Sequence, residues 1–309
     1  MEKSYYLSFT EYCQKIFGRK LYRTALNAGM TCPNRDGTLG SRGCIFCDAG
    51  GSGDFAIPYH GQKLTEDDLK YNRIKAGAGN YIAYFQSYTN TYASPEKLEM
   101  LFASALQDPL FAGISIATRP DCMQEKVLQI LSRLKQTYPN KFIWVELGLQ
   151  SINEHSALWM RRGYALPVFT DCVHRLHTLG IPVIAHVIIG LPSETDSSIY
   201  ATIAYLNQQN IEGVKLQLLH YLKDCDLGKM YEENPESFSV LSEEKYTDII
   251  VHCIGLLDPS TVIHRLTGDG NRDLLLAPLW SLDKRHVLNA IHKKLKEKGI
   301  VQGCLSGTL

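Results

Sequence analysis

The sequence predicts an α/β fold organised on a parallel sheet. Short apolar, β-branched runs recur along the chain with helix-patterned segments between them, and such alternation implies parallel strands joined by crossover helices. Several runs are apolar at both parities, as strands covered on both faces should be. At 309 residues the chain is long enough for about two domains, yet α/β barrels of more than ~200 residues commonly form one unit. One main domain with a tail is expected.

The elements follow in order. TALNAG (24–29) is the first expected strand, and NYIAYFQ (80–86), GISIAT (113–118), FIWVELGL (142–149), PVIAHVIIG (182–190), GVKLQLLH (213–220) and TVIHRL (261–266) are the others. Ser94 before Pro95 predicts a helix start, with a capping side chain followed by proline at the first helical position. Val127, Leu128, Ile130, Leu131 and Leu134 form one apolar stripe at helical spacing. Ser193 with Asp196 reads as a capping box. The polar stretch 225–239 reads as a loop before a helix beginning near Ser242. DKRHVLNAIHKKLKEKG (283–299) reads as an amphipathic helix laying Val287, Leu288, Ile291 and Leu295 on the body. Its basic face could meet RNA phosphates or simply be solvated.

Composition narrows the classes. Lys+Arg and Asp+Glu both number 32, so there is no global field of the kind that marks a dedicated nucleic-acid binder. No 18-residue apolar run and no leader-like start are present, which gives the expectation of a cytoplasmic protein without a membrane partner. The nine cysteines are then read as free thiols in a reducing compartment.

Three of those thiols, Cys32, Cys44 and Cys47, lie in GMTCPNRDGTLGSRGCIFCDAGGSGDF (29–55), directly after the first expected strand. That places them at the carboxyl edge of a parallel sheet, where chemistry usually gathers. The polar ends of the other strands meet there too: Thr89 to Thr91, Thr118, Arg119, Gln150, Ser151, Gly190 and His220. Three thiolates are one short of a closed structural zinc site, which His60 could complete as a Cys3His set. A redox-active thiol pair is a further reading of C-I-F-C. An iron–sulfur cubane with one iron left open is the third. The other cysteines, Cys13, Cys122, Cys172, Cys225, Cys253 and Cys304, lack ligand-like spacing and read mostly as small buried hydrophobes. Glu146 alternates with apolar neighbours in WVELGL, so it is a buried carboxylate that needs a partner.

The C-x11-C-x2-C run, with an aromatic before its last cysteine, resembles a widened form of the cluster loop of radical S-adenosylmethionine (radical SAM) enzymes. GISIATRPD (113–121), WVELGLQS (144–151) and AHVIIGLPSET (185–195) resemble strand-end motifs of the tRNA-acetylating and coproporphyrinogen-oxidising branches. With CPNRDG, YFQSYTNTY, KLQLLHYLKDC and VIHRLTGDG the chain is similar to the YhcC/YtqA-like group, over residues 5 to 295.

The resemblance implies a partial (βα)6 TIM-like radical SAM barrel at 23–270, with a short N-terminal extension (1–22) and a C-terminal helical tail (271–309). It implies a [4Fe-4S] cluster on Cys32, Cys44 and Cys47, and reductive cleavage of S-adenosylmethionine to a 5′-deoxyadenosyl radical. It also implies cofactor contacts. Phe46 would pack beside the adenine, and Gln150 would contact the ribose. Arg162 would pair with the methionyl carboxylate, a good match for a bidentate guanidinium. Thr89, Asn90 and Thr91 stand where the family carries Gly-Gly followed by Glu or Thr, and both glycines are replaced. Ala117 replaces the family's ribose-binding glutamate, a role that Gln86 or His186 would have to assume. Arg162 could equally be a solvated arginine beside Arg161, Gln150 and Ser151 a helix cap, and His186 a core histidine. Glu146, His220, His264 and Arg265 are candidates for the substrate pocket.

The group's association points to tRNA, with maturation of a wobble-uridine side chain such as carboxymethylaminomethyl to aminomethyl, and to an electron donor such as flavodoxin or ferredoxin. No acyltransferase-sized domain is expected beside the barrel, so a radical step alone is expected. Radical modification of a small molecule or peptide is the runner-up. A zinc-bearing, non-catalytic RNA-binding protein is the reading from a different class.

Overall fold

The computed structural model describes residues 4–48, 50, 56–65, 68, 77–268 and 270–307. The end of the cysteine run (Ala49 and residues 51–55) and Asp269 of the Gly-Asp-Gly stretch lie outside the described residues.

In chain order the elements are α1 (Phe9–Phe17), β1 (Tyr22–Asn27), β2 (Ile57–Pro58), β3 (Tyr81–Phe85), α2 (Pro95–Gln107), β4 (Phe111–Thr118), α3 (Glu125–Thr137), β5 (Phe142–Gln150), α4 (Glu154–Trp159) and α5 (Leu166–Thr178). There follow β6 (Val183–Ile189), α6 (Asp196–Gln208), β7 (Gly213–Leu218), β8 (Tyr221–Leu222), α7 (Asp226–Glu233), α8 (Glu243–Leu256), β9 (Val262–Arg265), β10 (Leu275–Ala277) and α9 (Lys284–Lys298). All seven expected strands form. Eight strands pair in parallel in the order β2-β1-β3-β4-β5-β6-β7-β9. The sheet curls without closing, which makes it the partial TIM-like barrel expected: six long strands in sequence, extended at its two edges by β2 and β9.

Alternation along each strand divides the barrel into two packing environments. Outward residues such as Phe85, Ile116, Leu147, Val187 and Leu216 join the helices in the main hydrophobic core. Inward residues near the amino ends, Ile82, Trp144 and Ile184, gather with Cys13, Leu21 and the apolar face of α1 in a separate cluster. Helix α1 therefore plugs the lower mouth of the barrel. It is held there by Ile263, whose N–H donates to the Leu7 carbonyl at 2.9 Å. The upper half of the barrel interior is left to polar residues.

Cap chemistry explains most helix starts. Ser94 accepts from the N–H of Lys97 ahead of Pro95, and Ser242 does the same for Lys245. Two expectations are corrected. The capping box belongs to Thr195 and Ser198, two residues beyond Ser193, because Ser193 sits at φ 66°, in the left-handed region, and belongs to the preceding turn. The stretch 225–239 is not simply a loop. It contains α7, started by Cys225, whose sulfur accepts from the N–H of Gly228 at 3.4 Å.

After residue 270, β10 pairs antiparallel with β8, and α9 packs Val287, Ile291 and Leu295 into the main core. On the basic face of α9, Lys294 and Lys298 both pair with Asp248 of α8, at 3.0 and 2.7 Å. These bridges consume part of the charge that could have met RNA.

Candidate active site

One cavity of about 440 Å³ occupies the upper barrel, within the range of small-molecule sites. Cys32, Cys44 and Cys47 line its mouth together with Phe46 and Arg35. The loop that carries them is fixed by its backbone: Arg35 N–H and Asp36 N–H both donate to the Cys32 carbonyl, and Cys47 N–H donates to the Cys44 carbonyl at 3.0 Å. Asn34 anchors it to the next layer by donating to the Arg161 carbonyl at 2.7 Å and to Cys44 Sγ at 3.4 Å. Burial pushes the Cys47 thiol up to about 12, opposed by Arg35, and burial raises Cys44 against the pull of Arg119. Burial thus favours the thiol forms, and two cations, Arg35 and Arg119, are placed to favour the thiolates. All nine cysteines are free thiols, and five of the six outside this loop are buried.

His60 does not complete a zinc set. It is exposed and absent from the cavity lining. Among the described residues no group of three or more His, Cys, Asp or Glu side chains surrounds a single metal-ion position. A cubane takes its three thiolates on three different irons, so its ligands need not converge on one point, and Cys32, Cys44 and Cys47 on one cavity lining are the donors that would hold it.

Gln86, Thr89 and Gln150 line the cavity as expected. Gln150 adopts φ 62° and Tyr88 φ 59°, a left-handed conformation uncommon outside glycine, at the two strand ends that face the cysteines. The side chains of Asn90 and Thr91 are engaged within the fold, which leaves a cofactor contact at this turn to its backbone. Asn90 Nδ2 donates to the carbonyls of Ser87 and Ala117, each at 3.0 Å, and Thr91 Oγ1 donates to the Cys122 carbonyl at 2.9 Å. The loss of the two glycines is thereby offset: polar side chains tie down the turn that glycines would have shaped.

Arg162 is not a solvated arginine: it lines the cavity yet is 2% exposed, and each of its nitrogens is hydrogen-bonded. Nη1 donates to the Leu149 and Ser151 carbonyls at 3.0 and 2.7 Å, Nε to the Tyr164 carbonyl, and Nη2 to Glu154 at 3.2 Å. It clamps the turn between β5 and α4 and thereby sets Gln150. Arg162 lines the cavity beside Arg119, one of the polar strand-end residues expected there, and Tyr164, which the sequence reading did not single out; the Arg119 guanidinium lies 5.1 Å from the Tyr164 ring centre and pairs with Asp121 at 2.8 Å.

The floor of the cavity is a buried polar network centred on Glu146. Its Oε1 accepts from Ser115 at 2.7 Å, and its Oε2 meets His186 Nε2 at 2.7 Å and the ammonium of Lys215. Arg23 Nε stands 3.9 Å away, and Lys215 also donates to the Tyr84 hydroxyl at 3.2 Å. Burial alone would raise the Glu146 pKa, but Lys215, His186 and Arg23 hold it well below the carboxylate range. Burial drives Lys215 down to about 7, against the attraction of Glu146. Burial lowers His186 likewise, with Lys215 adding to the effect. Lys215, Gln217 and Tyr84 were missed in the sequence. The available signal was parity, since Lys215 and Gln217 share one face of an otherwise apolar strand, as do Tyr84 and Gln86.

His220 and Arg265 line the cavity as candidates should. His264 does not. Strand β9 carries one extra residue against β7, where Val214 pairs with Ile263 and Lys215 with Arg265. His264 is that extra residue, turned toward Phe9, Trp144 and Arg23 at the lower end of the barrel.

Fold and site together define an α/β-barrel protein whose carboxyl edge presents three thiols over a ligand-sized polar chamber. The radical SAM superfamily model matches residues 36–206 and the Radical_SAM C-terminal domain model matches residues 211–297. YtqA of Bacillus subtilis (strain 168) is 39% identical over 305 residues, covering 98% of this chain and 92% of its own length. YhcC of Escherichia coli (strain K12) is 31% identical over 294 residues, covering 94% and 92%. The chain belongs to the radical SAM superfamily, in the group that includes these two proteins. Among solved structures, Elp3 of the archaeon Methanocaldococcus infernus superposes with a TM-score of 0.67 at 14% identity, over 93% of this chain and 65% of that one. Methylornithine synthase (PylB) gives 0.51 at 13% identity, over 95% and 86%. These two likenesses show the fold. No helix among the described residues is long and apolar enough to cross a membrane.

Proposed function

We propose that the chain is a radical SAM enzyme that holds a [4Fe-4S] cluster on Cys32, Cys44 and Cys47 and acts on a tRNA wobble-uridine side chain. The observation that carries the cofactor reading is the loop itself: three cysteines, and no fourth among the described lining residues, at the mouth of a chamber in a superfamily barrel. When bound, the cluster supplies an electron, drawn from a carrier such as flavodoxin or ferredoxin, that cleaves S-adenosylmethionine to methionine and a 5′-deoxyadenosyl radical.

The chain's own residues do the rest. Asn34 and the Cys32 carbonyl turns fix the thiol geometry. Arg162 sets Gln150 against the cofactor's sugar, with Gln86 and Thr89 on the facing strand ends. Phe46, packed against the apolar cluster around Ile45, Met160 and Ile188, shields one side of the chamber from water. His186 is bonded to Glu146 on the chamber floor, so Gln86 is the better placed of the two residues expected to substitute for the missing glutamate at Ala117.

The tRNA reading follows from the association of the YhcC/YtqA-like group, with carboxymethylaminomethyl to aminomethyl as the expected conversion. Anaerobic reconstitution should give about four irons and four sulfides per chain and release 5′-deoxyadenosine with S-adenosylmethionine and reductant; one tightly held zinc and no cleavage would overturn the cofactor assignment. Nucleoside analysis of tRNA from a deletion strain tests the substrate, and an unchanged wobble profile would reject it while leaving the radical chemistry standing.

A further inference from the structure

Among the described residues, the floor of the chamber carries more cation than its one carboxylate requires. Glu146 already has both oxygens occupied, Oε1 by Ser115 and Oε2 by His186 and Lys215. Against that single negative charge stand Lys215 and Arg23, the latter with Nε buried and without a hydrogen-bond partner. Above them, Gly148, His186, Lys215 and Arg265 stand in register across β5, β6, β7 and β9, so they form a row on one inner face. Gly148 contributes no side chain to this row, and the Gln150 amide lies over it, so close that a Cβ there would come within 2.6 Å of Nε2. Gln217, one step further along the inner face of β7, adds an amide next to His186 at 3.4 Å. A buried excess of positive charge is costly unless an anion arrives. An ammonium has three N–H donors, and Lys215 uses one on Glu146 and one on Tyr84.

We propose that this row is a subsite for a carboxylate of the substrate, with Lys215 as its principal donor and Gln217 and Arg265 at its sides. The inference rests on the chamber being the substrate chamber of the reading above, and adds that the group reaching its floor is anionic. Ionised Glu146 does not repel the incoming carboxylate strongly, since four groups surround it.

The groups facing Lys215 set its pH behaviour. Tyr84 from β3 stays protonated because burial raises it, Glu146 from β5 stays ionised, and His186 from β6 is neutral because burial lowers it. Arg23 from β1 and Arg265 from β9 add positive charge that disfavours a protonated Lys215. A carboxylate binds the protonated lysine, so binding weakens as pH rises through about 7.

The test uses the anaerobically reconstituted protein with S-adenosylmethionine, and measures heat of binding and thermal midpoint with glycine, sarcosine and succinate against their uncharged amides at constant ionic strength. The carboxylates should bind at least tenfold more tightly than the amides at pH 6, with the difference falling between pH 6 and 8. Lys215→Met should abolish it. Because that variant strands Glu146 and can fail to fold, Gln217→Glu is the second variant: it keeps the Lys215 and Glu146 pair, supplies a carboxylate from the chain itself, and should abolish binding equally. Equal binding of acids and amides by the wild type, or undiminished binding by Gln217→Glu, would overturn the subsite. A protein that yields no 5′-deoxyadenosine refutes the enzymatic reading regardless of these titrations. One that yields it and modifies tRNA, yet ignores carboxylates, refutes the subsite alone.

Discussion

His186 Nε2 lies 2.7 Å from the Glu146 carboxylate inside the barrel, and the same oxygen receives the Lys215 ammonium from the neighbouring strand. Three strands thus meet on one atom. The arrangement answers the question raised by a carboxylate in an apolar strand, since Glu146 is 1% exposed and would be untenable there without ionised or hydrogen-bonding partners.

Replacing Glu146 by Gln should therefore be expensive. The amide keeps the shape and accepts from Ser115, but leaves Lys215 and Arg23 buried without their counter-charge, a loss of about 3–5 kcal/mol. Removing the pair together, as Glu146→Gln with Lys215→Met, should cost clearly less than the sum of the single changes. Urea unfolding of the four proteins without cofactor reads both quantities, and additive losses would show that the two groups do not interact.

The same network fixes a pH signature. The Glu146 pKa is below its unfolded value of ~4.3, so its stabilisation is fully present above that value and is lost as pH falls through the folded pKa. Lys215 runs the other way. Its folded pKa is about 7 against ~10.4 unfolded, so between those values the unfolded chain binds more protons and stability rises with pH, by up to ~1.4 kcal/mol per unit. The thermal midpoint of the wild type should climb relative to the Glu146→Gln, Lys215→Met double variant from pH 7 to 9; parallel profiles would place Lys215 in its charged form throughout.

The contrast between Lys215 and Cys44 shows which parts of the site were legible in the sequence. Thiol spacing survives as a local pattern, and the strands announce themselves by apolar runs, so the barrel and the mouth of its chamber could be read. A lone lysine in GVKLQL gives no comparable signal, because its partners come from strands 69 and 131 residues away in the chain. Asn90, Thr91 and Arg162 show a different limit. Their side chains are held by backbone carbonyls, partners that a sequence does not display. His264 was named with Arg265 only because both end a strand; the one-residue excess in β9 sends His264 to the lower end of the barrel while Arg265 lines the chamber.

Arg162 offers the sharpest test of that distinction. If it clamps the turn, Arg162→Ala removes the donor to the Ser151 carbonyl, leaves the Leu149 carbonyl with the Ser151 N–H alone, and should cost about 1–3 kcal/mol in unfolding free energy. Arg162→Lys should recover little, since one ammonium cannot reproduce the planar fork. Unfolding of the protein without cofactor is the measurement, and a loss of S-adenosylmethionine affinity with unchanged stability would return Arg162 to direct cofactor binding.

Gly268 and Gly270 flank the His220 ring so closely that neither tolerates a side chain. A Cβ at Gly268 would come to 2.8 Å from His220 Cε1, and one at Gly270 to 2.8 Å from Nδ1. Neither position needs a left-handed backbone, so the constraint is contact alone. Gly268→Ala should cost about 1–3 kcal/mol through overpacking and displace the imidazole from the chamber wall. Adding His220→Ala removes the ring and should restore most of that loss, so the double-mutant cycle gives a coupling of opposite sign to the alanine penalty. Equal penalties with and without His220 would mean that the loop is held by something other than the ring.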